Sequence, residues 1–203
     1  MKYYPILFTF IALFLFSISS SFSQLQFSEI MYNPLTDEQE WIELYNNSDN
    51  DIIGIAFTIA DPVRAYTFTI PYSYAKQYIV LAKDTEQIKQ SFQIPDGALL
   101  IQTPIPGLNN DKDSLYIQNS DSIIIDTLFY DGKWSEKGIS LERASFLLTA
   151  NSNDNLKSCI ASDSSTCGKA NSVLETSVKP DTSSNKLLLY PNPFSPNSTD
   201  GKG

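Results

Sequence analysis

A chain of 203 residues with 23 acidic and 14 basic residues carries a net charge of −9 and contains no histidine. The missing imidazole excludes Ser-His-Asp and Cys-His catalysis, histidine zinc sites and a histidine pH switch. The acidic balance, with no local basic run, argues against nucleic-acid phosphates as a partner. The chain opens with MKYYPILFTFIALFLFSISSSFSQ, in which one lysine precedes an apolar run from Ile6 to Phe16 and a small, polar stretch ends in Ser21-Phe22-Ser23. The run is well short of the roughly 20 apolar residues that a membrane span needs. Residues 1–23 therefore read as a secretory signal peptide cleaved near Ser23-Gln24, which predicts a secreted or cell-surface product with no membrane insertion after signal removal. No cysteine lies in or just after the apolar run, so a lipid-modified signal is not expected.

From Leu25 onward, short apolar runs are broken by turn residues every eight to twelve positions, the pattern of an all-β chain. LQFSEIMY, EWIELYN, IIGIAFTIA, AYTFTI, YIVLA, ALLIQT, SLYIQ, SIIIDTLFY and ISLER are rich in Ile, Phe, Tyr and Thr and predict strands. DTEQIKQSF differs: Asp84 is a candidate N-cap and Ile88 and Phe92 are four apart, predicting one short helix on the sheet surface or rim. NSD at Asn119 to Asp121 predicts a hairpin between its flanking strands. Residues 24–175 suffice for one two-sheet β-sandwich with a sizeable core. Polar, proline-bearing residues 176–186 read as a linker. Residues 187–203 begin with three leucines and Tyr190, with nothing of their own to bury against, and read as the start of a further domain.

Cys159 and Cys167 are the two cysteines. Export places them in an oxidising compartment, and no histidine is present to complete a zinc site. The pair is expected to form a disulfide closing a short loop, the alternatives being two separate thiols or a redox pair, which usually has CxxC spacing.

The stretch Glu29 to Ser48 sets Glu29, Glu40 and Glu43 among strand-formers. Side chains alternate along a strand, so Trp41, Glu43 and Tyr45 share one face and Ile42 and Leu44 the other. A carboxylate between two aromatics either has a basic partner or a pKa raised by desolvation. Arg143 is the candidate partner, and an ion pair with Glu43 or Glu29 is expected. The alternative is a glycosidase pair of carboxylates, which needs a deep groove built by long loops. The loops here are short, and the chain is read as non-catalytic, without cofactor or metal. Asn109-Asn110-Asp111-Lys112-Asp113-Ser114 resembles the start of a calcium loop but lacks its glycine and terminal glutamate, so a solvated turn is expected. Tyr72 and Tyr74 would share a strand face, and with Tyr66 and Tyr78 they raise the possibility of an exposed strip that stacks on sugars or proteins.

Three groups of residues go beyond a generic β pattern. They are Glu29-Ile30-Met31-Tyr32-Asn33-Pro34 followed by Glu40-Trp41-Ile42-Glu43-Leu44-Tyr45-Asn46, then Gly138-Ile139-Ser140-Leu141-Glu142-Arg143, then Gly168-Lys169-Ala170-Asn171-Ser172. In this order and spacing residues 25–173 resemble the lamin-tail domain of the bacterial secreted type. The chain departs from that pattern at Asn155-Leu156-Lys157, where a tryptophan is usual, and at Ser165-Thr166-Cys167-Gly168, where Gly-Thr-Pro-Gly is common. Tyr190-Pro191-Asn192-Pro193-Phe194-Ser195-Pro196-Asn197 is similar to the entry of a C-terminal immunoglobulin-like module. The resemblance implies an immunoglobulin-like β-sandwich acting in recognition or scaffolding outside the cell, with an extracellular protein or polysaccharide as partner. A carbohydrate-binding module using Tyr72 and Tyr74 is the second reading.

Overall fold

The computed structural model describes residues 24–175; the expected signal peptide, the linker and the start of a further domain lie outside the described residues. The nine predicted strands are β1 (Leu25–Met31), β2 (Trp41–Asn46), β3 (Ile52–Ala60), β4 (Ala65–Ser73), β5 (Tyr78–Ala82), β6 (Leu99–Gln102), β7 (Lys112–Gln118), β8 (Ile124–Asp131) and β9 (Leu141–Arg143). A tenth, β10 (Leu156–Ser158), is only three residues long and gave no apolar signal. The helix α1 (Thr85–Ser91) forms where expected: Asp84 caps it by accepting from the Glu86 and Gln87 N–H groups, and Ile88 is buried.

The strands form two sheets, β10-β9-β1-β2-β5-β6 and β4-β3-β7-β8. Pairing is antiparallel except for β5 with β6, which run parallel and are joined through α1. The inner faces meet in one core that includes Phe27, Ile30, Ile42, Leu44, Ile79 and Leu81 from the first sheet and Phe57, Ile59, Phe68, Ile70, Leu115 and Leu128 from the second. The chain is an all-β sandwich with one short helix, as the sequence predicted. β7 and β8 pair as the predicted hairpin, with Asn119 Oδ1 accepting from the N–H groups of Asp121 and Ile123 in the turn.

The six-stranded sheet is covered on both faces, which is why every residue of β1 is buried. On its outer side α1 and the segment between α1 and β6, through Phe92 and Ile94, seal a second apolar cluster of Met31, Trp41, Val80, Ala82, Ile88 and Cys167. The closing segment, residues 159–175, lies across the rest of that face and is held by polar groups, described below.

One irregularity decides what reaches that outer face. The β1–β2 register passes from Phe27↔Leu44 to Glu29↔Glu43, leaving Ser28 as a bulge. Strict alternation would put Glu29 on the same face as Leu25 and Phe27, in the core. The extra residue turns Glu29 and Met31 outward and brings Ile30 and Tyr32 inward.

Candidate functional site

The bulge aligns three acidic side chains in one row. Glu29 of β1 lies opposite Glu43 of β2 on one side and Glu142 of β9 on the other, and all three are fully buried. Like charges directly opposite each other in a sheet destabilise it, and burial magnifies the penalty. The row survives because its oxygens bind the closing segment. Glu29 Oε1 accepts from the Thr166 N–H at 2.9 Å, and Glu43 Oε2 from the Gly168 N–H at 2.6 Å. Glu142 Oε2 accepts from Ser172 Oγ at 2.7 Å and from the Val173 N–H at 3.1 Å.

Proton counting shows that the row is not three anions. Thr166 Oγ1 sits 2.8 Å from Glu29 Oε2 and 2.6 Å from Glu142 Oε1. A hydroxyl has one proton, so it serves both carboxyl groups only if one of them carries a proton of its own. Burial, reinforced by the charge of Glu142, raises the Glu29 pKa to about 8. Burial, followed by the charge of Glu29, holds Glu43 well above its ordinary value. Glu43 Oε1 is buried without a hydrogen-bond partner among the described residues, a cost that a neutral acid bears far more easily than a carboxylate. Glu40 stands apart, half-buried and accepting from the Leu108 N–H at 3.2 Å.

The expected ion pair of Arg143 with Glu29 or Glu43 does not form. In β9, Arg143 and Glu142 are neighbours and face opposite ways, so Arg143 points inward while the glutamates point out. Its partner is Asp126 of β8, at 2.8 Å, an ion pair that joins the two sheets. Burial holds the Asp126 carboxyl above its ordinary value, with the Arg143 charge pulling the other way. Three further guanidinium protons go to the carbonyl oxygens of Phe27, Ser145 and Leu148. The Phe27 N–H donates to the same Asp126 carboxylate at 2.8 Å, so the pair also satisfies the backbone beside the Ser28 bulge.

Nor do the cysteines form the expected bridge: both are buried free thiols with different neighbours. Cys167 is inserted into the apolar cluster beneath α1, whereas Cys159 Sγ lies 3.5 Å from Ser172 Oγ and accepts from the Ala161 N–H at 3.3 Å. Burial raises Cys159 to about 11 and Cys167 well above the ordinary thiol value, so both stay protonated and unreactive. The closing segment is held by the carboxyl row and by Asn171, which accepts from Ser28 Oγ and donates to the carbonyls of Ser28 and Arg143.

The tyrosines do not make a continuous strip. Tyr72 and Tyr74 are exposed, by 41% and 61%, at the far end of β4, and their rings meet edge to face at 4.9 Å and 80°. Tyr72 donates to Asp51 Oδ2 at 2.5 Å, which raises its pKa to about 12. Exposed Ile53 is its register partner across β3–β4. Tyr66 sits at the opposite end of β4, and Tyr78 packs against Tyr45 on the other sheet, the two rings tilted by 35°. In the candidate calcium loop, Asp113 is already engaged: Oδ2 accepts from Asn109 and Oδ1 from the Ser114 N–H. Among the described residues no group of three or more Cys, Asp and Glu side chains is placed to hold a metal ion.

Asp126, Thr166 and Glu142 are the site residues that sequence reasoning did not single out. Glu142 lies inside the Gly138–Arg143 motif, and its alternation with Arg143 is the signal that only one of the two can face the glutamates. The chain matches no family model and no curated protein.

Proposed function

We propose that this chain is a non-catalytic recognition or scaffolding module of a secreted, multidomain protein, acting in the extracellular space or at the cell surface. The observation that carries this reading is the enclosure of Glu29, Glu43 and Glu142, the residues best suited to hydrolysis, under the chain's own closing segment. A general acid or base must reach a substrate proton within hydrogen-bond distance. Here the carboxyl oxygens are buried and all but Glu43 Oε1 are bound to protein groups, so opening a route to them would mean removing the segment that seals the sheet. The lamin-tail resemblance of residues 25–173 adds the extracellular scaffold role, and the signal-like residues 1–23 supply the export. Expression with residues 1–23 in an exporting bacterium tests the second point: the released protein should begin at or near Gln24.

A second reading, carbohydrate binding through Tyr72 and Tyr74, is favoured by their exposure beside Ile53. Their perpendicular rings do not form a flat two-ring platform, so a sugar would stack on one ring at a time. Affinity electrophoresis in polysaccharide gels, with the wild type and Tyr72→Ala/Tyr74→Ala, separates the readings. Retardation lost in the double variant favours sugar binding at the tyrosines. Turnover of any polysaccharide, abolished by Glu43→Gln, would overturn the non-catalytic reading altogether.

A further inference from the structure

At the end of the sandwich opposite Tyr72, the edge strands of the two sheets, β4 and β6, border an open pocket of about 490 Å³. Its size lies within the range of small-ligand pockets. The wall is formed by Arg64 from the β3–β4 turn, Tyr66 of β4, Lys83 just after β5, Gln102 of β6, and Thr103 and Ile105 beyond it. The Thr103 N–H donates to the Ala82 carbonyl at 2.9 Å, which fixes the floor of the pocket to the end of β5.

The charge of this pocket is the reverse of the chain's. Arg64 and Lys83 are exposed, and among the described residues neither makes an ion pair, while no acidic side chain lines the cavity. Lys83 stabilises the Glu40 carboxylate electrostatically from a distance. The cavity between Asn110 and Lys133 offers a contrast: its Lys112 and Lys133 are balanced by Asp111 and Asp131 in the same wall. Two cations with no acidic side chain in the same wall, beside a half-buried tyrosine, an amide and a hydroxyl, provide a carboxylate clamp, an apolar ring edge and donors and acceptors for hydroxyl groups.

We infer that this pocket binds a carboxylate-bearing sugar, a hexuronate unit of an extracellular oligosaccharide. The inference rests on the recognition reading above and gives it a ligand class and a place on the molecule. Arg64 takes the carboxylate in a two-pronged contact, Lys83 adds a second charge, and the pyranose ring lies against Tyr66 with Gln102 and Thr103 at its hydroxyls. An acidic peptide offers its carboxylates to the same two cations but has no row of ring hydroxyls for Gln102 and Thr103, so it is the less well matched ligand. The chain's net charge of −9 repels polyanions as a whole. Over a screening length of about 8 Å at physiological ionic strength, the distant acids fade while contacts inside the pocket persist. Short uronate oligomers are therefore better ligands than long ones at low salt.

The test is a calorimetric titration of the mature chain with trigalacturonate, with neutral galactotriose and triglutamate as comparators. The expected result is binding of trigalacturonate that weakens about tenfold or more in Arg64→Met and in Lys83→Met, as loss of a charge-assisted hydrogen bond implies. Galactotriose and triglutamate should bind at least about tenfold more weakly, and Tyr72→Ala/Tyr74→Ala should leave trigalacturonate binding intact. Both cations are exposed, so unchanged melting temperatures confirm that the variants are folded. No binding of trigalacturonate, binding indifferent to both cation variants, or equal binding of triglutamate would overturn the inference. None of these results touches the recognition reading, which falls only if the chain turns a polysaccharide over.

Discussion

Arg143 and Asp126 meet at 2.8 Å between the two sheets, each almost fully buried, and together they occupy the N–H and C=O of Phe27. Removing one partner strands the other charge and, for Arg143, also takes a donor from three carbonyl oxygens, of which those of Ser145 and Leu148 keep Asn155 Nδ2. Arg143→Met is expected to cost about 3–5 kcal/mol, measured by urea denaturation. Arg143→Met combined with Asp126→Leu removes both charges and should recover part of that loss, since a buried pair is often replaceable by apolar side chains. Additive losses in the double variant would show that the two residues act separately.

The carboxyl row predicts an unusual dependence of stability on pH. A carboxyl group with a folded-state pKa above its unfolded value holds its proton more tightly when folded. Its contribution is complete below the unfolded value and is lost as pH rises through the folded one. For Glu29 the window runs from the ordinary value of 4.5 to about 8, and the upward shifts of Glu43 and Asp126 have the same sign. The melting temperature should therefore fall steadily from pH 5 to pH 8. Glu29→Gln, which keeps a neutral side chain of the same shape at every pH, should flatten that slope and melt higher than wild type at pH 8. The other groups around the row are Tyr78 and Tyr45, Lys157 and the two cysteines. Lys157, opposite Glu142 in β10, bonds Glu175 at the surface instead, so the row has no internal cation.

How much of this was legible in the sequence depends on whether the deciding interaction was local. Strand alternation correctly placed Trp41, Glu43 and Tyr45 against Ile42 and Leu44, and the Asp84 cap and Ile88 gave the helix. Both signals lie within a few residues of chain. The Ser28 bulge was hidden because it exists only relative to β2 and is pinned by Asn171, 143 residues away. Without it Glu29 has the wrong face and Arg143 looks like its natural partner. β10 was missed for a related reason: Leu156, Lys157 and Ser158 have little strand character and pair only because β9 offers a free edge. The cysteine pairing was argued from compartment and count, which carry no information on where either side chain points.

The thiols give a direct check on that point. If Cys159 and Cys167 are free and buried, a thiol reagent should find almost none in the native protein and two after unfolding in denaturant. Dithiothreitol should leave the melting temperature unchanged. A disulfide closing this loop would instead contribute roughly 2.5 kcal/mol in the chain-entropy picture, and its reduction would lower the midpoint visibly.

Two glycines separate backbone strain from the sealing of the sheet. Gly138 and Gly168 share nearly the same left-handed conformation, with φ of +79° and +80°. Alanine at either position bears a backbone penalty of roughly 1–2 kcal/mol. At 138 the three atoms nearest the new methyl all belong to the side chain of Leu35, which is half exposed and free to swing away. At 168 it would sit 2.9 Å from the Ala98 Cβ and 3.3 Å from the Pro95 Cδ, against groups with little room to move. Displacing that backbone also lengthens the bond from the Gly168 N–H to Glu43 and lifts Cys167 from its apolar seat. Gly168→Ala should thus destabilise by at least about 1 kcal/mol more than Gly138→Ala, on the scale of overpacking a closed site. It should also make Cys167 reactive to thiol reagents under native conditions, which Gly138→Ala should not. Equal losses in the two variants, with Cys167 still protected, would mean that the closing segment is held elsewhere than at the carboxyl row.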